Sequence, residues 1–156
     1  MKAKKIIGKL LTAFLLVSIG VAIGKEMATR DTPAVAAPVT APGETKVVAY
    51  YMHGFPCVTC TFIETTAEKV VHEDFTEAVQ AGRVEFVSLN YLEPENAGLA
   101  EKYNVGENMV IAVRFEDGKE VSRVRLDKVM ALASNAEGLK DYIRKGIRSV
   151  LEGVGE

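Results

Sequence analysis

Apolar and polar residues follow two different periods along the chain, and together they predict an α/β domain over residues 45–156. A β-branched and aromatic run over residues 47–51 predicts a buried strand. From about Val58, apolar residues recur every three or four positions as far as Val79, which is typical of one face of a helix. Gly82 follows this pattern and is predicted to be the C′ residue that ends the helix.

The same two periods predict the rest of the domain. In chain order they indicate a strand over 84–89, a short helix over 95–103 behind Pro94, a strand over 109–115, a hairpin partner over 120–126 after the Asp117-Gly118 turn, one or two helical turns within 127–133, and a final helix ending near Leu151. Ser134 and Glu137 match a capping box for that last helix. Strand-helix-strand units followed by a hairpin and a helix predict a mixed four-stranded sheet with helices on both faces.

An apolar segment precedes the domain, without charge from Leu10 to Gly24, and we expect residues 1–24 to form an N-terminal hydrophobic helix. The run over 6–24 is interrupted only by Lys9, and about 20 residues are needed to span a bilayer. It is either an uncleaved signal anchor or a cleaved signal peptide. We favour the anchor, because no loose polar region precedes the small residues around Ile23.

Basic residues before this segment outnumber those just after it, which predicts a cytoplasmic N-terminus. The domain would then be tethered to the inner membrane and face the periplasm or extracytoplasmic side. Cleavage would instead release a secreted periplasmic protein. Residues 25–44 are rich in Pro, Ala and Thr and predict an extended, semi-rigid linker.

Composition and charge narrow the function classes. The 156 residues carry a net charge of −2 and are 48% hydrophobic, which suits one domain with a real core. Neither the charge nor the aromatic pattern indicates nucleic-acid binding. The sequence shows no Gly-rich phosphate loop, nucleophile elbow or carboxylate pair, so no cofactor is predicted.

The only two cysteines form a C-x-x-C motif between the first strand and the first helix. Cys57 falls at the predicted helix N-terminus, where unsatisfied N–H groups and the helix dipole favour an anion. This position should lower the thiol pKa and make Cys57 the nucleophile. Cys60 lies one turn deeper and is placed to resolve a mixed disulfide. Thr59 is a candidate donor to a thiolate, and His53 as an imidazolium would stabilise that thiolate further.

Three interpretations of the cysteine pair remain open. A redox-active pair is favoured, because a closed zinc site needs about four protein ligands and the chain holds two cysteines and two histidines. The second is a binding module in which Cys57 and Cys60, with His53 as a possible third ligand, hold a soft metal ion or arsenite. The third is a scaffold with an incidental pair. No resident metal is predicted under the redox interpretation.

A strand, a C-x-x-C that opens a helix, and then β-α-β-β-α resemble the thioredoxin fold over about residues 45–152. The segment 50–60, in which His53-Gly54 precedes Cys-x-Thr-Cys, is similar to the bacterial ArsF-type ("nitroreductase subunit") thioredoxin-like proteins. That resemblance implies a three-layer α/β/α domain and a possible thiol-disulfide oxidoreductase. It makes Cys57 the attacking thiol and Cys60 the resolving thiol, with an unknown redox partner protein.

Two positions depart from the thioredoxin pattern. Thioredoxins bury an acid six residues before the first cysteine, and Tyr51 stands there in this chain. A tyrosine cannot do the same proton work near neutral pH, and Glu64 is a candidate substitute. The loop over 103–110 contains no proline where thioredoxins have a cis-proline, so we expect a trans bond at Met109 or Val110.

Overall fold

The computed structural model describes residues 43–154. The predicted N-terminal hydrophobic helix and residues 25–42 of the predicted linker lie outside the described residues. None of the helices between residues 43 and 154 has the length and apolar content of a membrane span.

The described chain alternates strands and helices in the predicted order. The strands are β1 (Thr45–His53), β2 (Val84–Asn90), β3 (Met109–Glu116) and β4 (Lys119–Leu126). The helices are α1 (Val58–Asp74), α2 (Thr76–Gln80), α3 (Ala97–Lys102, preceded by a 3-10 turn at Pro94–Asn96), α4 (Val129–Leu132) and α5 (Ala136–Leu151).

The four strands form one mixed sheet in the order β2-β1-β3-β4. β1 pairs in parallel with β2, with Val47 opposite Val84. It pairs antiparallel with β3, and β3 pairs antiparallel with β4 through a tight hairpin. Asp117 and Gly118 have φ angles of 52° and 72°, which are typical of the two central residues of a type I′ turn. The predicted hairpin is therefore confirmed.

Both faces of the sheet are covered, which confirms the three-layer arrangement. Alternate β1 side chains point to opposite faces, and residues 47–52 of β1 are all buried. One face packs against α1 and α5, through residues such as Ile63 and Ile143. The other face packs against the α3 region, where Tyr50 and Tyr103 lie in contact. β1 is thus an interior strand buried on both sides, and its C-terminal end leads into the loop that carries the cysteine motif.

The first predicted helix is interrupted. The apolar period continues through Val79, but α1 ends at Asp74 and Phe75 leaves the helical region with φ −122° and ψ 27°. The Thr76 hydroxyl donates to the carbonyl oxygens of His72 and Glu73, which are left free at the end of α1. A second short helix, α2, then follows. Gly82 has φ 70° and lies just beyond Ala81, the cap residue of α2, as predicted for a C′ glycine.

The predicted capping box at Ser134 is wrong. The N-cap of α5 is Asn135, whose side-chain oxygen accepts a hydrogen bond from the Gly138 backbone N–H at 3.0 Å. A short Asn side chain satisfies the same orphan N–H groups that a Ser would. Because the helix begins one residue later than predicted, Glu137 falls in the first turn but does not complete the box.

Candidate functional site

The C-x-x-C motif lies where β1 gives way to α1. Cys57 is the N-cap residue of α1, with extended backbone angles of φ −149° and ψ 157°. Its sulfur accepts a hydrogen bond from the Cys60 backbone N–H at 3.0 Å, and its carbonyl oxygen accepts one from the Thr61 N–H at 3.0 Å. Cys57 and Cys60 are joined by a disulfide, with their Cα atoms 5.0 Å apart. The helix N-terminus therefore directs an N–H group at the Cys57 sulfur, as the sequence predicts.

The two cysteines differ in their access to solvent. Cys57 is exposed, whereas Cys60 is only 7% exposed. A partner can reach the first sulfur without disturbing the fold, whereas the second is enclosed by α1, the 54–57 loop and the loop before β3. Access and the helix N-terminus both favour Cys57 as the nucleophile.

Asn108, the residue just before β3, joins the two loops of the site. Its side-chain oxygen accepts a hydrogen bond from the Gly54 N–H at 3.0 Å. Its Nδ2 lies 3.0 Å from the Cys60 sulfur and donates to it. The described chain contains no cis peptide bond, so the Asn108–Met109 bond is trans, as expected. A side-chain amide thus faces the disulfide from the loop where thioredoxins place their cis-proline.

Tyr51 lies behind the disulfide. Its side chain is buried, and its hydroxyl donates to the Cys60 carbonyl oxygen at 3.0 Å. Burial, together with the nearby charge of the half-buried Glu64, raises the pKa of Tyr51 to about 12. The phenol therefore stays protonated at neutral pH and cannot act as a base, as the sequence indicates.

His53 and Thr59 were the predicted supporting residues. His53 ends β1, where its ring stacks on the Tyr51 ring at 5.7 Å and its Nδ1 lies 3.2 Å from the Gly54 carbonyl oxygen. Thr59 is exposed in the first turn of α1. Within residues 43–154, no group of three or more His, Cys, Asp or Glu side chains is placed to hold a metal ion. His53 therefore does not complete a three-ligand set with the two sulfurs in this disulfide form.

Gly54 allows a close approach at the base of the motif. It is buried, and a Cβ at this position would lie 2.8 Å from the Tyr91 hydroxyl oxygen and 3.0 Å from Cζ of the same ring. Tyr91 follows β2, and its backbone N–H donates to the His53 carbonyl oxygen at 2.8 Å. The glycine of the His-Gly pair thus lets a neighbouring loop pack against the turn that leads to Cys57.

Exposed apolar side chains surround Cys57. Phe55 and Val58, on either side of it, are 81% and 89% exposed. A groove of about 510 Å³ runs beside the first turn of α1. It is lined by Val58, Thr59, Phe62, Met130, Ala133 and Ser134. Exposed apolar surface around a reactive group is typical of a site that binds another molecule.

Solved structures with similar folds include thioredoxins from several organisms. The oxidised thioredoxin of Plasmodium falciparum is 18% identical, with a TM-score of 0.40, over 64% of this chain and 80% of its own. The thioredoxin of Malassezia sympodialis is 19% identical, with a TM-score of 0.42, over 70% and 80%. That of Fasciola hepatica is 23% identical, with a TM-score of 0.38, over 67% and 83%.

No protein-family model matches the chain, and neither does any curated protein. The strand order β2-β1-β3-β4, with the cysteine pair between β1 and α1, makes the fold thioredoxin-like.

Sequence reasoning missed the part that Asn108 takes in the site. It is separated from Cys60 by 48 positions and from Gly54 by 54, so no local spacing connects them. One signal was present: an amide side chain immediately precedes the apolar strand β3, in the loop that the resemblance places opposite the cysteines.

Proposed function

We propose that this protein catalyses thiol-disulfide exchange through Cys57 and Cys60. One observation carries the proposal: an exposed sulfur at a helix N-terminus is bonded to an enclosed sulfur one turn away. The first can meet a partner, and the second is always within bonding reach of the first. The apolar surface formed by Phe55, Val58 and Phe62 suits a protein partner.

In the direction that reduces a partner, the Cys57 thiolate attacks one sulfur of the partner's disulfide. The attacked S–S bond breaks, its electron pair leaves on the other partner sulfur, and a mixed disulfide forms at Cys57. The Cys60 thiol loses its proton to solvent and attacks the Cys57 sulfur. The Cys57–partner bond then breaks, the partner leaves as a dithiol, and the intramolecular disulfide of this structure results. The reverse sequence oxidises a partner dithiol.

We further propose that the domain belongs to the ArsF-type thioredoxin-like proteins, on the strength of the His53-Gly54 and Cys-x-Thr-Cys residues around the site. The apolar segment over 6–24 supports a tether to the inner membrane, with the domain on the extracytoplasmic side. An oxidising compartment would keep the pair as a disulfide unless a donor reduces it. The redox partner would then be a second protein of that compartment.

The test uses the full chain in detergent and equilibrates it in glutathione or dithiothreitol buffers, with the thiols counted by alkylation and mass spectrometry. A reversible two-electron couple between roughly −120 and −270 mV, the span of known oxidoreductases, is expected. Cys57→Ser should abolish turnover of a disulfide substrate, whereas Cys60→Ser should accumulate mixed disulfide at Cys57. His72→Ala, on the exposed side of α1, serves as the control.

Two results would contradict the proposal. One is a disulfide that cannot be reduced without unfolding the domain. The other is a reduced form that binds Cu(I) or As(III) stoichiometrically and turns over no disulfide, which would favour a soft-metal or arsenite binding protein instead.

A further inference from the structure

We propose that Asn108 stabilises the Cys60 sulfur while it carries negative charge, and so sets the rate at which the mixed disulfide is resolved. The inference deepens the proposed exchange reaction and rests on it. It assigns a third participant to a site that the sequence describes with two cysteines. The geometry of the Asn108 amide carries it.

The orientation of this amide is fixed by its other partner. The Gly54 backbone N–H points at the Asn108 side chain at 3.0 Å, and a backbone N–H can only donate. The oxygen of the amide must therefore face Gly54, which leaves Nδ2 directed at the Cys60 sulfur, 3.0 Å away. Because sulfur is larger than oxygen, this is a close contact for a donor to sulfur.

A donor to sulfur favours the thiolate over the thiol, since the added electron pair strengthens the hydrogen bond. The enclosure of Cys60 acts in the opposite sense, because burial disfavours the charged form. The Phe55 carbonyl oxygen, 3.8 Å from the same sulfur, is an acceptor that would also favour the protonated thiol. Asn108 is thus the side chain that offsets these two effects.

The other titratable groups near Cys60 do not replace Asn108. The Tyr51 hydroxyl donates to the Cys60 carbonyl oxygen rather than to its sulfur. Glu64, on α1, brings negative charge toward Tyr51, and a negative charge would oppose a thiolate. His53 packs on the Tyr51 ring, with its Nδ1 at the Gly54 carbonyl oxygen. The buried acid that deprotonates the second cysteine of a thioredoxin is replaced by Tyr51, so stabilisation of the anion has to come from a neutral donor.

The consequence appears in a single step. When the Cys60 thiolate attacks the Cys57 sulfur, its negative charge passes to the departing partner sulfur and the Cys57–Cys60 bond forms. Asn108 stabilises the attacking anion before that transfer, because its hydrogen bond is to the Cys60 sulfur and not to the Cys57 sulfur. Its removal should therefore slow resolution without slowing the first attack by Cys57.

The experiment follows both steps in the reduced full chain with an aromatic disulfide whose released thiolate is coloured. The first equivalent of colour reports attack by Cys57, and the second reports attack by Cys60. Asn108→Asp keeps an acceptor for the Gly54 N–H but presents an oxygen to the sulfur. We expect its pH profile to move up by about one unit and its second phase to slow by about threefold near neutral pH, because the greater nucleophilicity of a more basic thiolate offsets part of the roughly tenfold loss of thiolate.

Asn108→Ala removes the donor without adding charge and should slow the second phase by a smaller factor. The exposed neighbour Glu107 provides the control, because Glu107→Gln alters the charge of the same loop without touching the sulfur. Its two phases should match those of the wild-type protein. Circular dichroism of each oxidised variant checks the fold, and if the Asp variant fails to fold, the Ala variant decides the question.

An unchanged second phase and pH profile in a folded Asp or Ala variant would overturn the assignment. Failure of the proposed function would give a different experimental result. In that case the wild-type protein would turn over no protein disulfide, yet the two-phase reaction with the small reagent would still report the effect of Asn108 on Cys60.

Discussion

The hydroxyl of Tyr51 donates a hydrogen bond to the backbone carbonyl oxygen of Cys60 at 3.0 Å. The bond joins the interior strand β1 to the first turn of α1, directly behind the disulfide. Thioredoxins use this position on the first strand for an acid, whereas this chain uses it for a neutral donor. The contact therefore fixes the backbone of the enclosed cysteine rather than moving its proton.

Tyr51→Phe should lower the free energy of unfolding of the oxidised domain by about 1 kcal/mol, the usual net value of one such bond. Because the pKa of Tyr51 is raised to about 12, the pH profile of thiol alkylation should keep its shape between about pH 6 and 9. Urea unfolding and alkylation rates measure the two effects. Tyr142→Phe is the control, since the Tyr142 hydroxyl has no hydrogen-bond partner in the described part of the chain. If the alkylation profile of the Tyr51 variant lacked a titration step that the wild-type profile shows, this account would be contradicted.

Gly54→Ala should destabilise the domain by about 1 to 3 kcal/mol, because the added methyl group would overlap the Tyr91 ring and hydroxyl. Adding Tyr91→Phe should recover part of the loss, and a double-mutant cycle of unfolding free energies measures that recovery. Gly98 offers a matched position, since nothing lies within 4 Å of a Cβ placed there. Gly98→Ala in α3 should be neutral or slightly stabilising; equal losses at the two glycines would show that crowding is not the cause.

Glu120→Gln should destabilise the domain by about 1 to 2 kcal/mol near neutral pH, because it weakens charge-assisted bonds on the far face of the sheet. The Glu120 side chain is only 14% exposed and lies 2.6 Å from the Lys102 ammonium and 2.8 Å from the Arg123 guanidinium. It also accepts from the Tyr103 hydroxyl. Burial alone would raise the pKa of Glu120, but the Lys102 and Arg123 hydrogen bonds outweigh it and hold the pKa below its usual value.

The sign of the pH dependence follows from that lowered pKa. A carboxyl group whose pKa is lower in the folded than in the unfolded state contributes its full stabilisation above the unfolded value, about 4.3, and loses it as the pH falls through the folded value. The difference between wild type and Glu120→Gln should therefore shrink in acid. Glu137→Gln is the control, because Glu137 pairs with Lys140 but its side chain is 82% exposed, and such pairs contribute little. A difference that grows below about pH 4 would refute the assignment.

Asn135→Ala should cost about 1 kcal/mol of stability, the typical loss for an N-cap residue. Ser134→Ala, one position earlier, should cost almost nothing, because Asn135 and not Ser134 bonds the first turn of α5. Thermal unfolding of the two variants makes the comparison. If Ser134→Ala were instead the more destabilising change, Ser134 would be the N-cap, as the capping-box prediction has it.

The sequence predicted most of the elements because their signals are local. The β1 run, the α1 period and the Asp117-Gly118 turn are each encoded within a few residues of the structure they form. So is the position of Cys57 at a helix start, since the apolar period changes at Val58. Local patterns give the order of strands and helices, and connection rules then limit how the sheet can be assembled.

The errors and omissions arise where local signals compete or where distant residues meet. The apolar period runs past Phe75, but it cannot reveal that the Thr76 hydroxyl bonds the last carbonyl groups of α1 and ends the helix. Ser134 and Asn135 are both suitable N-cap residues for α5. The spacing to Glu137 favours Ser134, although Asn135 makes the bond. Asn108 reaches Cys60 only because the sheet brings the loop before β3 beside the end of β1, and that distance in sequence hides the contact.

β1 is buried on both faces and hydrogen-bonded along both edges, to β2 and to β3. Backbone amides in such a strand exchange with deuterium chiefly when the whole domain unfolds. The cysteine pair is therefore attached to the part of the molecule that opens last. Exchange at residues 47–52 should report global unfolding. A comparison of the oxidised and reduced forms at these amides would therefore measure how much the disulfide contributes to the domain's free energy of unfolding.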